Sequence, residues 1–239
     1  MLNAFYIPFT GIPLEALFNT TSKVMAKRLM IANQIPTPPF FGIHETDKLK
    51  KDQQYIVKPI WEEGSVGLDE DAVFSPVEKD KLNRVKELSS NHYFIEHFIT
   101  GREFNVSILA SKNGPEVLHP AEMIFTNYPE GKPKMLGYKA KWNEDSMEYK
   151  NTSRSFSTLQ KDSPLYDRIQ KICLKCWDTF HLKGYARVDI RLDEDENIFV
   201  LEINGNPCIS PDSGFIAAAG FSGYDSSLVV QRISEDLNE

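Results

Sequence analysis

The strongest constraint on the fold is a pair of alternating segments near the end of the chain, which predict two neighbouring strands. The first covers residues 184–192 and the second residues 198–204, with a polar turn at 193–197 between them. Successive side chains of a strand point to opposite faces, so the charged residues of the first segment share one face and its aliphatic residues share the other. The two segments therefore predict a hairpin with one polar and one apolar face.

The polar face of this hairpin concentrates groups that can bind a cation. Arg187 and Asp189 point the same way in the first strand, as do Glu202 and Asn204 in the second, and the turn places Asp189 opposite Glu202 to within one residue. Two opposed carboxylates are unfavourable without a cation between them. Oxygen ligands that the protein supplies only in part suit Mg²⁺, which takes its remaining oxygens from water and nucleotide phosphates. The alternative is a solvated hairpin whose acids pair with Arg187 and Arg191.

The residues that follow the hairpin favour the metal site over that alternative. The segment from Asn204 to Pro207 cannot continue a strand, and Ser210 is then a candidate helix N-cap with Pro211 at the first helical position. A strand, a polar turn and an anion-binding helix start thus follow one another, as a site for metal and phosphate requires.

The length and composition are those of an ordinary globular protein. A chain of 239 residues is enough for one large or two modest domains. Its net charge of -7 argues against a general affinity for nucleic acid. The first ten residues lack a signal-peptide pattern, and no stretch approaches the ~18 consecutive apolar residues of a membrane span. We therefore predict a cytoplasmic protein that binds neither nucleic acid nor membranes.

The cysteines do not indicate a disulfide framework. Cys173, Cys176 and Cys208 are an odd set, and the first two have the spacing of a redox motif. That pair, however, falls on an apolar stripe of helical period rather than at a helix start, where a thiol pKa would be lowered. We interpret both as core residues.

The N-terminal third predicts an extended lead-in, a helix and a strand. Residues 5–13 are apolar and broken by proline and glycine. A helix over residues 21–33 is predicted, with a cap among residues 19–21 and a buried face formed by Met25, Leu29 and Ala32, while Lys23 and Lys27 share another face. Residues 54–59 form a strand that ends in Lys58 and Pro59, and the segment from Glu62 to Gly67 is a flexible loop or a plain hairpin turn.

The middle of the chain adds two strands, a loop and a long helix. Residues 92–99 and 103–109 predict strands separated by a short break. Residues 137–158 show no clear periodicity and are too long for a simple connection, which indicates a functional loop. Ser163 and Pro164 begin a helix that runs to Lys183 and ends at Gly184.

With these residues the chain resembles an ATP-grasp enzyme of the D-alanine:D-alanine ligase type, from about Phe5 to the C-terminus. The resemblance implies an α+β fold of two lobes, each with a mainly antiparallel sheet and helices, with the nucleotide bound between them. Residues 1–18 then correspond to the last segment of an N-terminal domain that is otherwise missing. Residues 19–95 form the small lobe, and residues 96–239 form the large lobe with the metal and catalytic residues.

The resemblance also assigns roles at the phosphate end of the nucleotide. Arg187 stabilises the reaction intermediate, while Asp189, Glu202 and Asn204 hold two Mg²⁺ ions. The phosphates of ATP are bound by three lysines and by the glycine-rich loop, namely Lys23, Lys58, Lys141, Gly64, Ser65, Val66 and Gly67; Lys141 is also catalytic.

At the two ends of the cleft the resemblance implies base, ribose and substrate contacts. Glu96, His97 and Phe98 belong to the hinge that reads the adenine edge, and Glu103 binds the ribose. Trp142 closes over the substrate. The second substrate's carboxylate is held by Ser213 and the backbone N–H of Gly214, with Asp212 beside them; Asp212 either faces the helix start or turns into the cleft and repels a carboxylate.

The chain departs from the family at three connected points. D-alanine ligases have a tyrosine after the loop lysine and a serine in the phosphate loop, linked through a glutamate of the N-terminal domain. Here these positions are Trp142 and Gly64, and that domain is missing. A separate chain supplies it, the sequence is a fragment, or the site is built otherwise.

The predicted activity is ATP-dependent ligation of a small carboxylate to an amine through an acyl phosphate, with ATP and two Mg²⁺ ions as cofactors. The alternatives are a non-catalytic nucleotide-binding module and a ligase of the same superfamily for larger peptides or amines. A separate N-terminal domain chain and a homodimer remain open as partners.

Overall fold

The computed structural model describes residues 2–237, which form an α+β fold with two antiparallel sheets. The helices are α1 (Leu14–Thr21), α2 (Lys23–Ala32), α3 (Lys79–Lys86), α4 (Tyr138–Trp142), α5 (Met147–Lys150), α6 (Pro164–Thr179), α7 (Gly214–Phe221) and α8 (Ser226–Glu235). Short 3-10 helices cover Asn3–Phe5, Ile43–Lys48 and Glu70–Ala72. The strands are β1 (Phe40–Gly42), β2 (Tyr55–Pro59), β3 (Val73–Phe74), β4 (Tyr93–His97), β5 (Glu103–Leu109), β6 (Glu116–Val117), β7 (Ala121–Phe125), β8 (Thr152–Ser155), β9 (Tyr185–Leu192) and β10 (Ile198–Asn204).

Both sheets have the antiparallel character that the sequence predicted. The smaller sheet has four strands in the order β1-β4-β2-β3. The larger has six, in the order β10-β9-β5-β7-β8, with β6 paired to β5. The hairpin that was predicted from residues 184–204 is formed by β9 and β10 at one edge of this larger sheet.

The predicted register of that hairpin is confirmed. Asp189 lies opposite Glu202, and a bulge between Val200 and Glu202 shifts the register within β10. On the other face of β9, Val188 and Ile190 are fully buried. A bulge lets neighbouring residues of one strand be re-aimed, and here it keeps Glu202 on the polar face.

The main core lies between the larger sheet and helices α2 and α6. Ser163 caps α6 by accepting a hydrogen bond from the backbone N–H of Tyr166, as predicted. Cys173 and Cys176 are both buried in this core, and burial raises the pKa of the Cys176 thiol to about 12. The prediction that α6 reaches Lys183 is wrong, because the helix ends at Thr179 and the chain turns before β9.

The predicted helix over residues 21–33 is α2, which begins two residues later than predicted, and its cap and its buried face were predicted wrongly. Residues 19–21 end α1, and Ser22 caps α2 by accepting from the backbone N–H of Met25. Ala26 and Met30 are buried on α2, whereas Met25 and Leu29 are only partly buried and Ala32 is exposed. This rotation turns Lys23 and Lys27 toward the space between the sheets.

Two further predictions need correction. Residues 137–158, which were predicted to be a functional loop without regular periodicity, contain the short elements α4, α5 and β8. Ser210 is not a helix N-cap: the backbone N–H of Ser213 donates to the Ser210 carbonyl in a turn, and Ser213 itself caps α7 by accepting from Ile216. Local turns of this kind compete with helix starts that have similar sequences.

The predicted lobe boundary at residue 95 falls inside β4, which runs to His97. Helix α2 packs on the core of the larger sheet through Ala26 and Met30, although its sequence position is in the predicted small lobe. The division into lobes therefore stays a proposal. Among residues 2–237, the helices include none with the length and apolar character needed to span a membrane.

Candidate active site between the two sheets

Two adjoining cavities open between the sheets. The first has an empty volume of about 660 Å³ and is lined from both sheets, including Ile56 and Lys58 of the smaller and Glu103 and Asp189 of the larger. The second, about 1750 Å³ with its open mouth, continues along the polar face of the larger sheet. We call them the nucleotide cavity and the acceptor cavity. They share four residues: Lys23, Leu136, Lys141 and Glu202.

A buried carboxylate with two lysines lies at the inner end of the nucleotide cavity. Glu96, 1% exposed, forms ion pairs with Lys58 at 2.6 Å and with the buried Lys27. Burial alone would raise the pKa of Glu96, but the two lysines outweigh it and hold the pKa below its ordinary value. Lys58 and Glu96 were predicted here, whereas Lys27 was missed, although its four-residue spacing from Lys23 was a usable signal.

Lys23 lies where the two cavities meet. Its ammonium group donates to the backbone carbonyl of Glu62 and is 4.0 Å from a carboxylate oxygen of Glu202. Burial lowers the pKa of Lys23, and the charge of Glu202 offsets this only in part. A poorly solvated cation of this kind gains most from an incoming anion.

The predicted phosphate loop passes beside the same place. Gly64 and Gly67 have positive φ angles of 65° and 73°, which glycine adopts without strain, and Ser65 has a φ of 64°. The Ser65 hydroxyl donates to the carbonyl of Leu136 at 2.8 Å. Gly64 lines the acceptor cavity and Ser65 the nucleotide cavity, whereas Val66 and Gly67 line neither.

The β9–β10 hairpin contributes the predicted metal ligands and the predicted catalytic arginine. Asp189 accepts both hydrogen bonds of a bidentate contact from Arg187, at 2.7 and 2.8 Å, and a third from Asn105 at 2.9 Å. The solvated-hairpin alternative is therefore right about this one ion pair. Asn204 accepts from the backbone N–H of Asn206 and lines the acceptor cavity.

The charges around Glu202 explain its ionisation. Burial alone would raise the pKa of Glu202, but Lys23, Lys141 and Arg187 outweigh burial and lower the pKa to about 2. Burial also raises the pKa of Asp189, against the opposing effect of Arg187. Adjacent strands thus present two carboxylates among an excess of cations.

This donor set fits Mg²⁺ that arrives with phosphate. Residues 2–237 contain no group of three His, Cys, Asp or Glu side chains that could hold a metal ion by themselves. The oxygens of Asp189, Glu202 and Asn204 are hard ligands, and each carboxylate retains lone pairs beyond its protein contacts. Their small number leaves the remaining coordination positions to water and nucleotide oxygens, as Mg²⁺ prefers.

Of the three predicted hinge residues, Glu96 and Phe98 line the nucleotide cavity and His97 does not. Phe98 lines the nucleotide cavity beneath the guanidinium of Arg191, 5.0 Å from its ring centre, whereas His97 lines neither cavity and contacts the ring of Tyr55. The backbone N–H groups of His97 and Phe98 donate to Pro39 and Gln54. The N–H of the next residue, Ile99, makes no hydrogen bond within residues 2–237.

Glu103 lines the nucleotide cavity at the start of β5. Arg191, which the sequence placed only in the hairpin, binds the Glu103 carboxylate through two nitrogens at 2.7 and 3.2 Å and the carbonyl of Ile99 at 2.6 Å. The alternation of β5 exposes Glu103 and Asn105 on one face, a signal that could have identified Asn105 as a contact of Asp189.

Lys141 and Trp142 end α4 at the rim of the site. Lys141 lines both cavities, and its charge acts on both Glu202 and Asp189. The Trp142 side chain is 62% exposed, yet its indole N–H donates to the carbonyl of Gly64 at 2.8 Å. The two positions where the chain departs from D-alanine ligases are therefore bonded directly to each other.

Residues around the start of α7 line the far end of the acceptor cavity. Asp212, Ser213 and Gly214 are all there. Asp212 accepts a 2.6 Å hydrogen bond from the Ser210 hydroxyl, which holds the Asp212 pKa below its ordinary value. It precedes the N-cap, so the expectation that it is a first-turn helix residue is wrong.

Comparison with known proteins identifies the class and then the family. D-alanine--D-alanine ligase of Methylacidiphilum infernorum is 29% identical over 96% of this chain and 70% of that protein. Two solved structures cover 98% of this chain: a Coxiella burnetii D-alanine-D-alanine ligase (TM-score 0.71, 18% identity, 62% of that chain) and a Bacillus anthracis D-alanine--D-alanine ligase complexed with ATP (TM-score 0.70, 21% identity, 71% of that chain).

The two sheets closing on a lysine-lined cleft are those of the ATP-grasp class, which confirms the predicted fold. A family model described as D-ala D-ala ligase C-terminus matches residues 29–235. The chain belongs to this family of ATP-dependent carboxylate–amine ligases, as predicted, and it spans less than two thirds of the Coxiella enzyme.

Proposed function

We propose that this chain is the catalytic part of a ligase that uses ATP to join a carboxylate to an amine through an acyl phosphate. The observation that carries the proposal is the convergence of Lys23, Lys58 and Lys141 with Asp189 and Glu202 on one cleft between the sheets. The ATP complex of the Bacillus anthracis relative supports a nucleotide in this cleft.

The adenine end of the nucleotide is proposed to lie against Phe98 and Ile56, whose side chains line the smaller cavity. Among the hinge residues, the backbone N–H of Ile99 is free to donate to the base, because those of His97 and Phe98 are engaged by the protein. We therefore transfer the edge contact predicted for His97 to Ile99. Glu96 and Glu103 stay as proposed contacts of base and ribose, and each is held in place by cations.

The phosphates are proposed to lie where the two cavities meet, beside Lys23, Lys58 and Lys141. Asp189, Glu202 and Asn204 would hold Mg²⁺, which when bound neutralises phosphate charge and draws electron density from phosphorus. The surrounding cations keep Glu202 ionised and lower its pKa to about 2, so a ligand oxygen is ready at neutral pH. The same cations repel a Mg²⁺ ion that arrives without an anion, so we propose that Mg²⁺ and the nucleotide phosphates bind together.

The acyl transfer needs no nucleophilic side chain. The substrate carboxylate attacks the terminal phosphorus of ATP, ADP leaves, and the amine then attacks the acyl carbon and expels phosphate. The Arg187 guanidinium lines the cavity where this carbon would lie, and the charge of Asp189 raises the pKa of Arg187 despite its burial. A fixed cation there stabilises the tetrahedral oxyanion, an effect often worth ~3 kcal/mol per donor.

The acceptor is proposed to bind between Trp142, which covers the cavity rim, and the start of α7, where Ser213 and the N–H of Gly214 hold a carboxylate. The first substrate is proposed to need a further domain, on this or another polypeptide. The outer side of α1 offers a docking face for it, because Leu14, Phe18 and the nearby Trp61 are 72%, 55% and 46% exposed.

Calorimetry with a non-hydrolysable ATP analogue tests this proposal. We expect micromolar binding that requires Mg²⁺ and is weakened at least tenfold by Lys58→Ala. Lys171→Ala, an exposed lysine of α6, is the matched control and should bind as the wild type does. Absence of binding to the wild type contradicts the nucleotide site. Binding that EDTA leaves unchanged contradicts the metal assignment.

A further inference from the structure

Arg154 is a cation of the acceptor cavity that the predicted site does not include. Arg154 belongs to the edge strand β8 and lies opposite Met123 of β7. Met123 in turn lies opposite Glu103 of β5, so these residues form one row across the sheet and their side chains share one face. This row is continued by Arg191 opposite Glu103. Arg154 therefore shares the polar sheet face with the proposed catalytic groups, and it lines the acceptor cavity but not the nucleotide cavity.

Arg154 differs from the other two arginines of this face in having no partner. Arg187 is bonded to Asp189, and Arg191 is bonded to Glu103 and to backbone carbonyls. Within residues 2–237, the side chain of Arg154 makes no hydrogen bond and no ion pair, although its backbone belongs to the β7–β8 ladder. Arg154 is exposed, so water partly solvates its charge, and the nearby positive charge of Arg187 adds to the attraction of this region for an anionic ligand.

The contact with Gly214 shows how the guanidinium is seated. A Cβ atom added to Gly214 would lie 3.4 Å from Nη2, 3.5 Å from Cζ and 3.6 Å from Nε of Arg154. These distances show that the guanidinium of Arg154 lies next to Gly214 at the start of α7. Separations of 3.4 to 3.6 Å are ordinary van der Waals contacts, so Arg154 and Gly214 are direct neighbours in the lining of the acceptor cavity.

The acids of the cavity do not neutralise Arg154. Asp212 is bonded to Ser210, and Glu202 lies among Lys23, Lys141 and Arg187. Glu63 is the third acid in the lining, and none of the three is within ion-pair distance of Arg154. A guanidinium fork with free edge N–H groups matches a carboxylate, which it binds through two parallel hydrogen bonds.

We infer that Arg154 binds a second carboxylate on the acceptor, so that the ligase selects an amine substrate with an acidic side chain. The inference rests on the proposed function, in which Ser213 and Gly214 already hold the acceptor's backbone carboxylate. Arg154 packs on Gly214 and is thus one side-chain length from that position. A small neutral amino acid leaves the guanidinium without a partner, whereas glutamate or aspartate supplies one.

Binding of amino acids to the protein saturated with Mg²⁺ and a non-hydrolysable ATP analogue tests this. Each enantiomer of glutamate, aspartate, glutamine and asparagine is titrated by calorimetry. The wild type should bind at least one acid tenfold or more tightly than its amide. Arg154→Gln should reduce this ratio to near one, and Arg154→Lys should restore part of it. Arg84→Gln, an exposed arginine of α3, should leave it unchanged.

Three results overturn the inference. The first is an acid-to-amide ratio that Arg154→Gln leaves unchanged; if both ligands are weakened equally, Arg154 holds the backbone carboxylate instead. The second is a wild type that binds no acid more tightly than its amide, and the third is no saturable binding of any amino acid to the wild type. Failure of the proposed function gives a different result: the wild type would not bind the ATP analogue when the protein is first saturated with it. Retained nucleotide binding by Arg154→Gln shows that the variant is folded.

Discussion

At the scale of single residues, the Glu96 carboxylate stabilises two lysines, Lys27 and Lys58, beside the cleft. Replacing it by glutamine leaves Lys27 and Lys58 close together without a charge partner. We expect Glu96→Gln to destabilise the fold by ~3 kcal/mol, as loss of one partner of a buried ion pair does. Lys27→Met should cost less, because Glu96 keeps Lys58. Urea unfolding at pH 7 measures both variants, and equal stability of Glu96→Gln and the wild type would contradict this account.

The same carboxylate makes stability depend on pH with a definite sign. The folded-state pKa of Glu96 is below its ordinary value of 4.5, so the folded form binds fewer protons than the unfolded chain as pH falls below that value. Stability from this group is complete above about pH 4.5 and is lost as pH falls through the folded pKa. Comparing the unfolding free energy of the wild type and Glu96→Gln from pH 7 to 3 should show the smaller slope in the variant.

Glu202 tests the metal site. Glu202→Gln keeps the size of the side chain but removes a proposed metal ligand. It also removes a charge whose pKa the surrounding cations lower to about 2, so some loss of stability is expected and urea unfolding must show that the variant is folded. We expect Mg²⁺-dependent binding of the ATP analogue to weaken at least tenfold, within the ~10–100-fold range found when metal environments are altered. Calorimetry at several Mg²⁺ concentrations measures it. An unaltered Mg²⁺ requirement would show that Glu202 is not a ligand.

At the scale of elements, α4 and the loop around Gly64 are held together by three hydrogen bonds. These join Ser65 to Leu136, Tyr138 to Leu68 and Trp142 to Gly64. The last bond joins the two positions at which the sequence departs from the family pattern. Within residues 2–237 the loop around Gly64 and α4 are thus bonded directly to each other.

Trp142→Phe keeps an aromatic ring and removes only the donor of that bond. A typical hydrogen bond contributes ~1 kcal/mol, so amide hydrogen exchange in residues 62–68 should become about fivefold faster. Tyr138→Phe is the matched control, because its exposed side chain makes no hydrogen bond within the described residues. Identical exchange in wild type and Trp142→Phe would mean that the indole contact does not hold the loop.

At the scale of the whole molecule, sequence periodicity was sufficient wherever one face of an element is buried. The β9–β10 hairpin, its register and the strand at 103–109 were predicted because polar and apolar residues alternate in β9 and β5, whereas the strand at 54–59 was predicted from a short apolar run that ends in Lys58 and Pro59. Helix α2 was placed one residue out of phase because its inward face carries Lys23 and Lys27, which read as surface residues. The ion-pair partner of Lys27, Glu96, is 69 positions further along the chain, and no local pattern reveals so distant an ion pair.

Arg154 and the indole bond of Trp142 were missed for a related reason. Both lie in the segment of residues 137–158, where the elements are too short for a period to show: α4 has five residues, α5 four and β8 four. Short elements of this kind are held by tertiary contacts rather than by propensity. The sequence predicted charged residues that the structure brings to the cleft, such as Lys58, Asp189 and Glu202, but not the position of Arg154 or the contact of Trp142 with Gly64.

The last prediction concerns these 239 residues assayed without any other chain. The acceptor cavity reaches Thr20, Thr21 and Glu63 at the end of α1 and the phosphate loop, where the apolar face of α1 begins. If a further domain docks there and orients the first substrate, the isolated chain should bind Mg²⁺ and ATP but form almost no D-alanyl-D-alanine. Positioning can contribute ~7–11 kcal/mol to lowering a bimolecular barrier, so its loss is severe. Phosphate release with D-alanine measures this, with nucleotide binding as proof of folding. Rapid dipeptide synthesis by this chain alone would show that the described cleft already orients both substrates.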